Sequence, residues 1–305
     1  MRRLSYAWDA QHRLLIVKYE VENSTVMDAP NAAFSRPRNA DDIAIHQPED
    51  FEGMRAAGRL AAMTLDMIGD HVKPGVSTIA LDKIIHDFIV SHDAHPATLG
   101  YEVAGNVYHH SSCISLNHVV CHGIPSEKAL RDGDILNIDV TVIHDGWHGD
   151  TSRMYVAGKP NIRASRLIDL THEALMRGIA AVRPGETLGD IGFAIQKFVE
   201  ANRCSVVRDY CGHGLGRVFH DKPSVVHFGH PGEGVRLEKG MFFTIEPMVN
   251  LGGSKTKVLQ DRWTVVTRDR SLSAQFEHSI GVADDGCEIF TLSPAGKFHP
   301  FRSDG

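Results

Sequence analysis

Apolar residues keep no regular period until Pro48. From there Phe51, Met54, Ala61, Leu65 and Ile68 recur at helical spacing and predict a helix that Lys73-Pro74-Gly75 ends. Pro48, Glu49 and Asp50 suit its start: proline loses no bond in a first turn, and the acids face the positive end of the helix dipole. Ser77 or Thr78 can cap a second helix whose Leu81, Ile84, Ile85, Phe88 and Ile89 form one stripe. Ile135 to Ile143 is a β-rich run closed by Asp145-Gly146, a pair that favours a two-residue hairpin turn. With those two residues as the loop, His144 pairs with Trp147, Thr141 with Asp150 and Asp139 with Ser152. Phe242 to Val249 and Ser273 to Ile280 read as further strands.

The arrangement occurs twice. Val72-Lys-Pro-Gly75 matches Val182-Arg-Pro-Gly185 at an offset of 110, which sets Ser77 against Thr187, Ile85 against Ile195 and Phe88 against Phe198. Leu130-Arg-Asp-Gly133, with Asp139 six residues on, matches Leu237-Glu-Lys-Gly240, with Glu246 six residues on, at an offset of 107. Helix, breaker, helix, strand and carboxylate in one order point to two related halves, with Asp139 and Glu246 equivalent. Residues 1–47 lack such a pattern and are expected to be a poorly ordered N-terminal extension, with one short strand at Leu14 to Val17 and Met27 as a candidate true start. The folded domain is expected over 48–305.

Composition narrows the class. The 305 residues carry 32 Lys+Arg against 38 Asp+Glu, and this mild acidity argues against an electrostatic nucleic-acid binder. No run approaches the roughly 20 apolar residues of a membrane span. Five cysteines (Cys113, Cys121, Cys204, Cys211, Cys287) form no CxxC and fit a reducing cytoplasm. Neither a phosphate-binding glycine loop nor GxSxG is present. The 19 histidines are many for this length.

The chemistry lies in acids that interrupt apolar strands. Asp139 sits between Ile138 and Val140, Glu246 between Ile245 and Pro247, Glu277 between Phe276 and His278. A carboxylate at such a position must be exposed, paired or metal-bound. In the hairpin register Asp139 and Asp150 are diagonal neighbours on one face, about 7–8 Å apart at the backbone, so their carboxylates can converge. Gln275, Glu277 and Ser279 likewise share one face. Several like charges in one pocket need a cation to offset them. Three separate rim carboxylates are the plainer reading of any single acid, and a weaker one for the set. His213 in Cys211-Gly-His-Gly-Leu-Gly216, His220 seven residues on and His122 in Cys121-His-Gly are the candidate nitrogen donors. Four carboxylates and one histidine suit a pair of divalent transition ions (Mn, Fe, Co or Zn) able to activate a water and polarise a carbonyl.

With those residues in place, the chain from Pro48 to Leu292 resembles the type I methionine aminopeptidases. The resemblance rests on Val119-Val-Cys-His-Gly-Ile-Pro125, Asn137-Ile-Asp-Val-Thr-Val142, His148-Gly-Asp-Thr-Ser152, Tyr210-Cys-Gly-His-Gly214, Thr244-Ile-Glu-Pro-Met-Val-Asn250 and Ser271-Leu-Ser-Ala-Gln-Phe-Glu-His278. It implies an α+β pita-bread fold, two pseudo-symmetric halves of antiparallel sheet covered by helices, and a catalytic domain over 48–305. It implies that Asp139, Asp150, His213, Glu246 and Glu277 bind two divalent ions, with Glu246 also the general base. His122 and His220 would hydrogen-bond the scissile amide and carbonyl, and Tyr101, Cys113, Phe219 and Trp263 would line the methionine pocket. The implied reaction removes the initiator methionine when the second residue is small. The implied partners are nascent N-termini, with the ribosome a candidate, for a cytoplasmic monomer that binds neither membrane nor specific nucleic acid.

Thr98 departs from the cysteine frequent in relatives, and the loop from Tyr101 to Tyr108 is about four residues longer than usual, which leaves Tyr108 out of the expected pocket. The 32 residues between His213 and Glu246 leave no room for the type II insertion. A prolidase or aminopeptidase P shares fold and ligands but needs a larger N-terminal domain. An inactive adaptor of this fold would be expected to lack ligands.

Overall fold

The hairpin register read from Asp145-Gly146 is the one the chain adopts. Strand Ile135–His144 pairs antiparallel with Trp147–Val156, Thr141 opposite Asp150 and Asp139 opposite Ser152. The structure, a computed structural model, describes residues 2–8, 14–20 and 36–297.

Helix α1 (Pro48–Ile68) starts where Asp50 Oδ2 accepts the Gln47 N–H at 2.9 Å. It buries Phe51, Met54, Ala61, Leu65 and Ile68, and a 3-10 turn at Gly69–His71 ends it. Helix α2 (Thr78–Val90) is capped by Ser77, whose Oγ accepts the Ala80 N–H, and it buries Leu81, Ile85 and Ile89. These two helices cover the sheet of His95–Pro96, Cys113–Leu116, Ile135–His144 and Trp147–Val156, sealing one core. Helix α3 (Ile162–Ala180) and helix α4 (Leu188–Ala201) cover the second half. Its five-stranded sheet runs in the order Asp221–Val225, Gly212–Gly214, Phe242–Ile245, His278–Val282, Cys287–Ile289, over a second core.

The repeat is borne out bond by bond. In the first half Gly75 N–H donates to Leu130 O at 2.8 Å and Leu130 N–H to Val76 O at 2.8 Å. In the second Gly185 N–H donates to Leu237 O at 2.9 Å and Leu237 N–H to Glu186 O at 2.8 Å. Gly75 and Gly185 take φ of 91° and 93°, and Gly133 and Gly240 take 86° and 88°, left-handed values that glycine adopts at least cost. Ser77 and Thr187 also form equivalent isolated bridges, to Ala129 and Arg236, ahead of the strands that begin at Ile135 and Phe242.

Two expected strands are broken. Phe242 to Val249 divides into Phe242–Ile245, in the five-stranded sheet, and Met248–Asn250, which lies between Ser205–Val206 and Ser273–Gln275 in another. Ser273 to Ile280 divides in the same way between Ser273–Gln275 and His278–Val282. Both breaks fall at the acids, Glu246-Pro247 and Phe276-Glu277, where the chain passes from one sheet to the next.

Among the described residues before Pro48 there is more regular structure than the one expected short strand. Arg2–Trp8 pairs antiparallel with Leu14–Glu20, a longer strand than Leu14 to Val17. Residues 36–47 are packed: Ile43 is buried, Arg38 pairs with Asp221, the His46 N–H donates to Gly240 O at 2.8 Å, and the His46 ring stacks on Phe242 at 4.0 Å. One apolar anchor held by backbone bonds leaves no period to read. Met27 lies outside the described residues.

Candidate active site

Asp150, His213 and Glu277 converge, each offering a ligand atom within 4.8 Å of the others. His213 Nε2 lies 3.3 Å from Asp150 Oδ2 and 3.8 Å from Glu246 Oε1. Asp139, the diagonal neighbour of Asp150 in the hairpin register, is held well above the usual carboxyl range by burial, to which the charges of Asp150 and Glu246 add. The five donors come from both halves, and the Ser152–Glu277 bridge joins the halves at the acids.

Local bonds hold four of the five, Asp150, His213, Glu246 and Glu277. Thr141, opposite Asp150 across the hairpin, donates to Asp150 Oδ1 at 2.8 Å. Ser279 donates its hydroxyl to the Asp150 carbonyl at 2.6 Å and accepts the Asp150 N–H at 3.3 Å. Thr151 donates to the Glu277 carbonyl at 2.7 Å. Thr244 serves two donors at once: its hydroxyl donates to Glu246 Oε1 at 2.8 Å while accepting the His213 N–H at 3.0 Å. Gln275 Nε2 donates to Glu246 Oε2 at 3.1 Å, and His227 Nε2 accepts the Glu246 N–H at 3.0 Å. Of these supports, the hairpin register exposes Thr141; Gln275 and Ser279, expected on one face with Glu277, bond Glu246 and Asp150 instead. Nothing in the sequence marks His227.

Gly149 sets the depth of the Asp150 strand under α1. A Cβ there would meet Ala57 O at 2.2 Å and Gly58 N at 2.6 Å, both helix backbone.

The electrostatics fit divalent cations. Burial, then the charges of Asp150, Glu246 and Asp139, raise Glu277 well above the ordinary value. Burial raises Glu246 to about 7, against the opposing charge of His213. His213 Nδ1 donates to Gly214 O at 3.1 Å, which leaves the Nε2 lone pair pointed at two carboxylates. Burial would lower its pKa, but the hydrogen bond and charge of Asp150 outweigh that and raise it. A cation at the centre resolves both conflicts: it takes the Nε2 lone pair and offsets the acids. The residues present therefore fit a divalent metal centre.

The expected substrate residues fall into two groups. His220 stacks on Phe219 at 4.0 Å, lies 4.2 Å from the His213 ring, and meets Tyr101 at 5.0 Å. His122 lies beside Tyr210 at 5.5 Å, and burial, with the charge of His213, lowers its pKa to about 4. Its φ of 54° lies in the left-handed region, uncommon for any residue other than glycine. Tyr108, not among the expected pocket residues, is brought beside two of them by the course of the loop. Gly100 N–H donates to Tyr108 O at 2.8 Å and Tyr108 N–H to Tyr101 O at 2.8 Å, so the longer loop leaves and returns at one point. Buried Tyr108 then meets Trp263 at 5.2 Å and sits beside Cys113.

Comparison with known proteins identifies the family. The profile of metallopeptidase family M24 matches residues 52–284. The methionine aminopeptidase of Rickettsia prowazekii (strain Madrid E) is 59% identical over 259 residues, covering 85% of this chain and 98% of that protein. That of Escherichia coli (strain K12) is 57% identical over 252 residues, covering 82% and 94%. The crystal structure of the Rickettsia prowazekii enzyme superposes with a TM-score of 0.80 at 60% identity, covering 82% of this chain and all (100%) of that one. The prolidase from Pyrococcus horikoshii OT3, at 17% identity and a TM-score of 0.62, shares the fold. The chain belongs to metallopeptidase family M24, among its type I methionine aminopeptidases.

Proposed function

We propose that this metallo-aminopeptidase removes the N-terminal methionine of nascent proteins whose second residue is small. The observation that carries the reading is the convergence of Asp150, His213 and Glu277 within 4.8 Å, with Glu246 Oε1 3.8 Å from His213 and Asp139 the diagonal neighbour of Asp150 in the hairpin register. Asp139, Asp150, His213, Glu246 and Glu277 would hold two divalent ions, drawn from Co, Mn, Fe and Zn. When bound, such ions supply Lewis acidity toward the scissile carbonyl and bring the pKa of the attacking water down toward neutrality.

The chain's own residues do the rest. Glu246 takes the proton of the attacking water and returns it to the departing amine; Thr244 and Gln275 hold one carboxylate oxygen each and so fix its orientation. His122 and His220 hydrogen-bond the substrate amide and carbonyl and stabilise the charge that develops as the carbonyl becomes tetrahedral. Tyr101, Cys113, Phe219 and Trp263, joined by Tyr108, enclose the methionine side chain in an apolar, sulfur-tolerant pocket. No helix among the described residues is long and apolar enough to cross a membrane. The protein is proposed to act as a cytoplasmic monomer on N-termini presented at the ribosome.

A metal-by-metal activity screen on Met-peptides varied at the second position tests the assignment. Cleavage of Met-Ala-Ser and rejection of Xaa-Pro peptides is expected. A preference for Xaa-Pro would move the chain to the prolidase branch, and no turnover with any of the four metals would favour an adaptor.

A further inference from the structure

Glu246 lies where the backbone changes sheets. Ile245 pairs with His278 in one ladder, Met248 pairs with Gln275 in the next, and Pro247 between them has no N–H to offer. The Glu246 N–H is thus the backbone donor stranded at the crossing, and a buried N–H without an acceptor is strongly disfavoured. Its acceptor is a side chain, His227 Nε2, at 3.0 Å. His227 is fully buried at 0% exposure, and its Nδ1 bonds no other group among the described residues.

The ring also sits at a telling place in the chain. It follows the strand Asp221–Val225, whose Ser224 pairs with His213 and whose Val225 pairs with Gly212. One rigid imidazole therefore links the segment that registers the His213 strand to the peptide that carries Glu246.

We propose that His227 is a positioning residue of the metal centre: its Nε2 holds the Glu246 peptide at the sheet crossing and so sets the spacing between the Glu246 carboxylate and His213. The role rests on the reading of Glu246 as ligand and general base. Nothing in it requires His227 to touch substrate or ion, because the imidazole acts through the Glu246 backbone. The neutral ring with hydrogen on Nδ1 is the form that can accept at Nε2. Supports of this kind typically change metal affinity or activity by roughly 10–100-fold when removed.

Full-length protein carrying His227→Leu, His227→Gln or His227→Asn is compared with wild type by Mn²⁺ titration calorimetry, by kcat and KM on Met-Ala-Ser with Mn²⁺, and by Tm. Leucine fills the space without an acceptor. Glutamine extends an amide oxygen toward the position of Nε2, and asparagine is too short to place one there. His227→Leu and His227→Asn are expected to weaken Mn²⁺ binding and lower kcat by roughly tenfold or more, with KM changed by less than about threefold, while His227→Gln recovers both. Equal kcat and Mn²⁺ affinity in the Gln and Asn variants, whatever their Tm, would overturn the proposal, and that comparison stands even where the Leu variant does not fold. Glu246→Gln serves as the control. Full turnover in that variant would overturn the reading of the site itself. A dead Glu246→Gln beside unaffected His227 variants would overturn the positioning role alone.

Discussion

Stripping the divalent ions from this site should invert the way pH acts on its stability. Burial raises Glu246 from 4.5 to about 7; the charge of Asp150 adds to this, while the charge of His213 and the hydrogen bonds from Thr244 and Gln275 oppose it. A carboxyl whose pKa is higher folded than unfolded holds its proton more tightly in the folded protein. Its stabilising contribution is therefore complete below pH 4.5 and disappears as pH climbs through about 7. At about 1.4 kcal/mol per pKa unit, the loss for Glu246 alone is on the order of 3 kcal/mol. A change of about 1 kcal/mol moves Tm by roughly 2–4 °C in proteins of 150–250 residues, so a fall of several degrees is expected. Asp139 and Glu277 are raised in the same direction by burial and by the neighbouring acids, and they steepen the slope. Glu246→Gln cannot ionise. EDTA-treated wild type and Glu246→Gln are melted by differential scanning fluorimetry from pH 4.5 to 8; the variant should gain steadily on wild type as pH rises. With saturating Mn²⁺ the wild-type disadvantage should vanish, because the ions bind the ionised acids. Parallel Tm–pH curves for the two metal-free proteins would show that Glu246 is not held in a charge-starved pocket, and the argument for a cation centre would lose its electrostatic basis.

Three further outcomes are expected. Asp139→Ala and Glu277→Ala should each lower metal content, read by ICP-MS after dialysis; two ions still bound would remove that residue from the ligand set. His122→Ala should keep its metal and lose on the order of 10²–10³ in kcat, the usual worth of a donor aimed at developing charge; an unchanged kcat/KM would take His122 out of the mechanism. Gly149→Ala should push α1 off the Asp150 strand, because the new Cβ meets helix backbone at 2.2 Å and backbone cannot rotate away. A loss of roughly 1–3 kcal/mol in urea denaturation is expected, and wild-type stability would contradict the close approach.

The local signals were strong where one element carried them alone. Asp145-Gly146 dictated the hairpin register and hence the placement of Asp139 and Asp150, because a two-residue turn fixes every pair along both strands. The stripe of α2 and its Ser77 cap were likewise readable, since helix period and capping are properties of adjacent residues. The duplicated breakers revealed two halves, and the paired bonds of Gly75 and Gly185 show why the same residues recur: both turns need a left-handed glycine. The acids announced themselves by interrupting apolar runs.

Other features depend on which surfaces meet, and no local pattern records that. The strand breaks at Glu246-Pro247 and Phe276-Glu277 fall where the chain passes from one sheet to another, and which sheet takes each segment depends on distant partners. Tyr108 reaches Trp263 only because the longer loop closes on itself at Gly100 and Tyr101. Residues 36–47 pack through partners as distant as Asp221 and Gly240. The sequence by itself determined the helices, the hairpin register, the twofold plan and the identity of the acids, because turns, caps and hydrophobic periods act between residues close in the chain. Tertiary structure decided how those acids are held, by Thr244, Gln275, Ser279 and His227, because hydrogen bonds across segments form only once two sheets bring distant backbone within 3 Å or so.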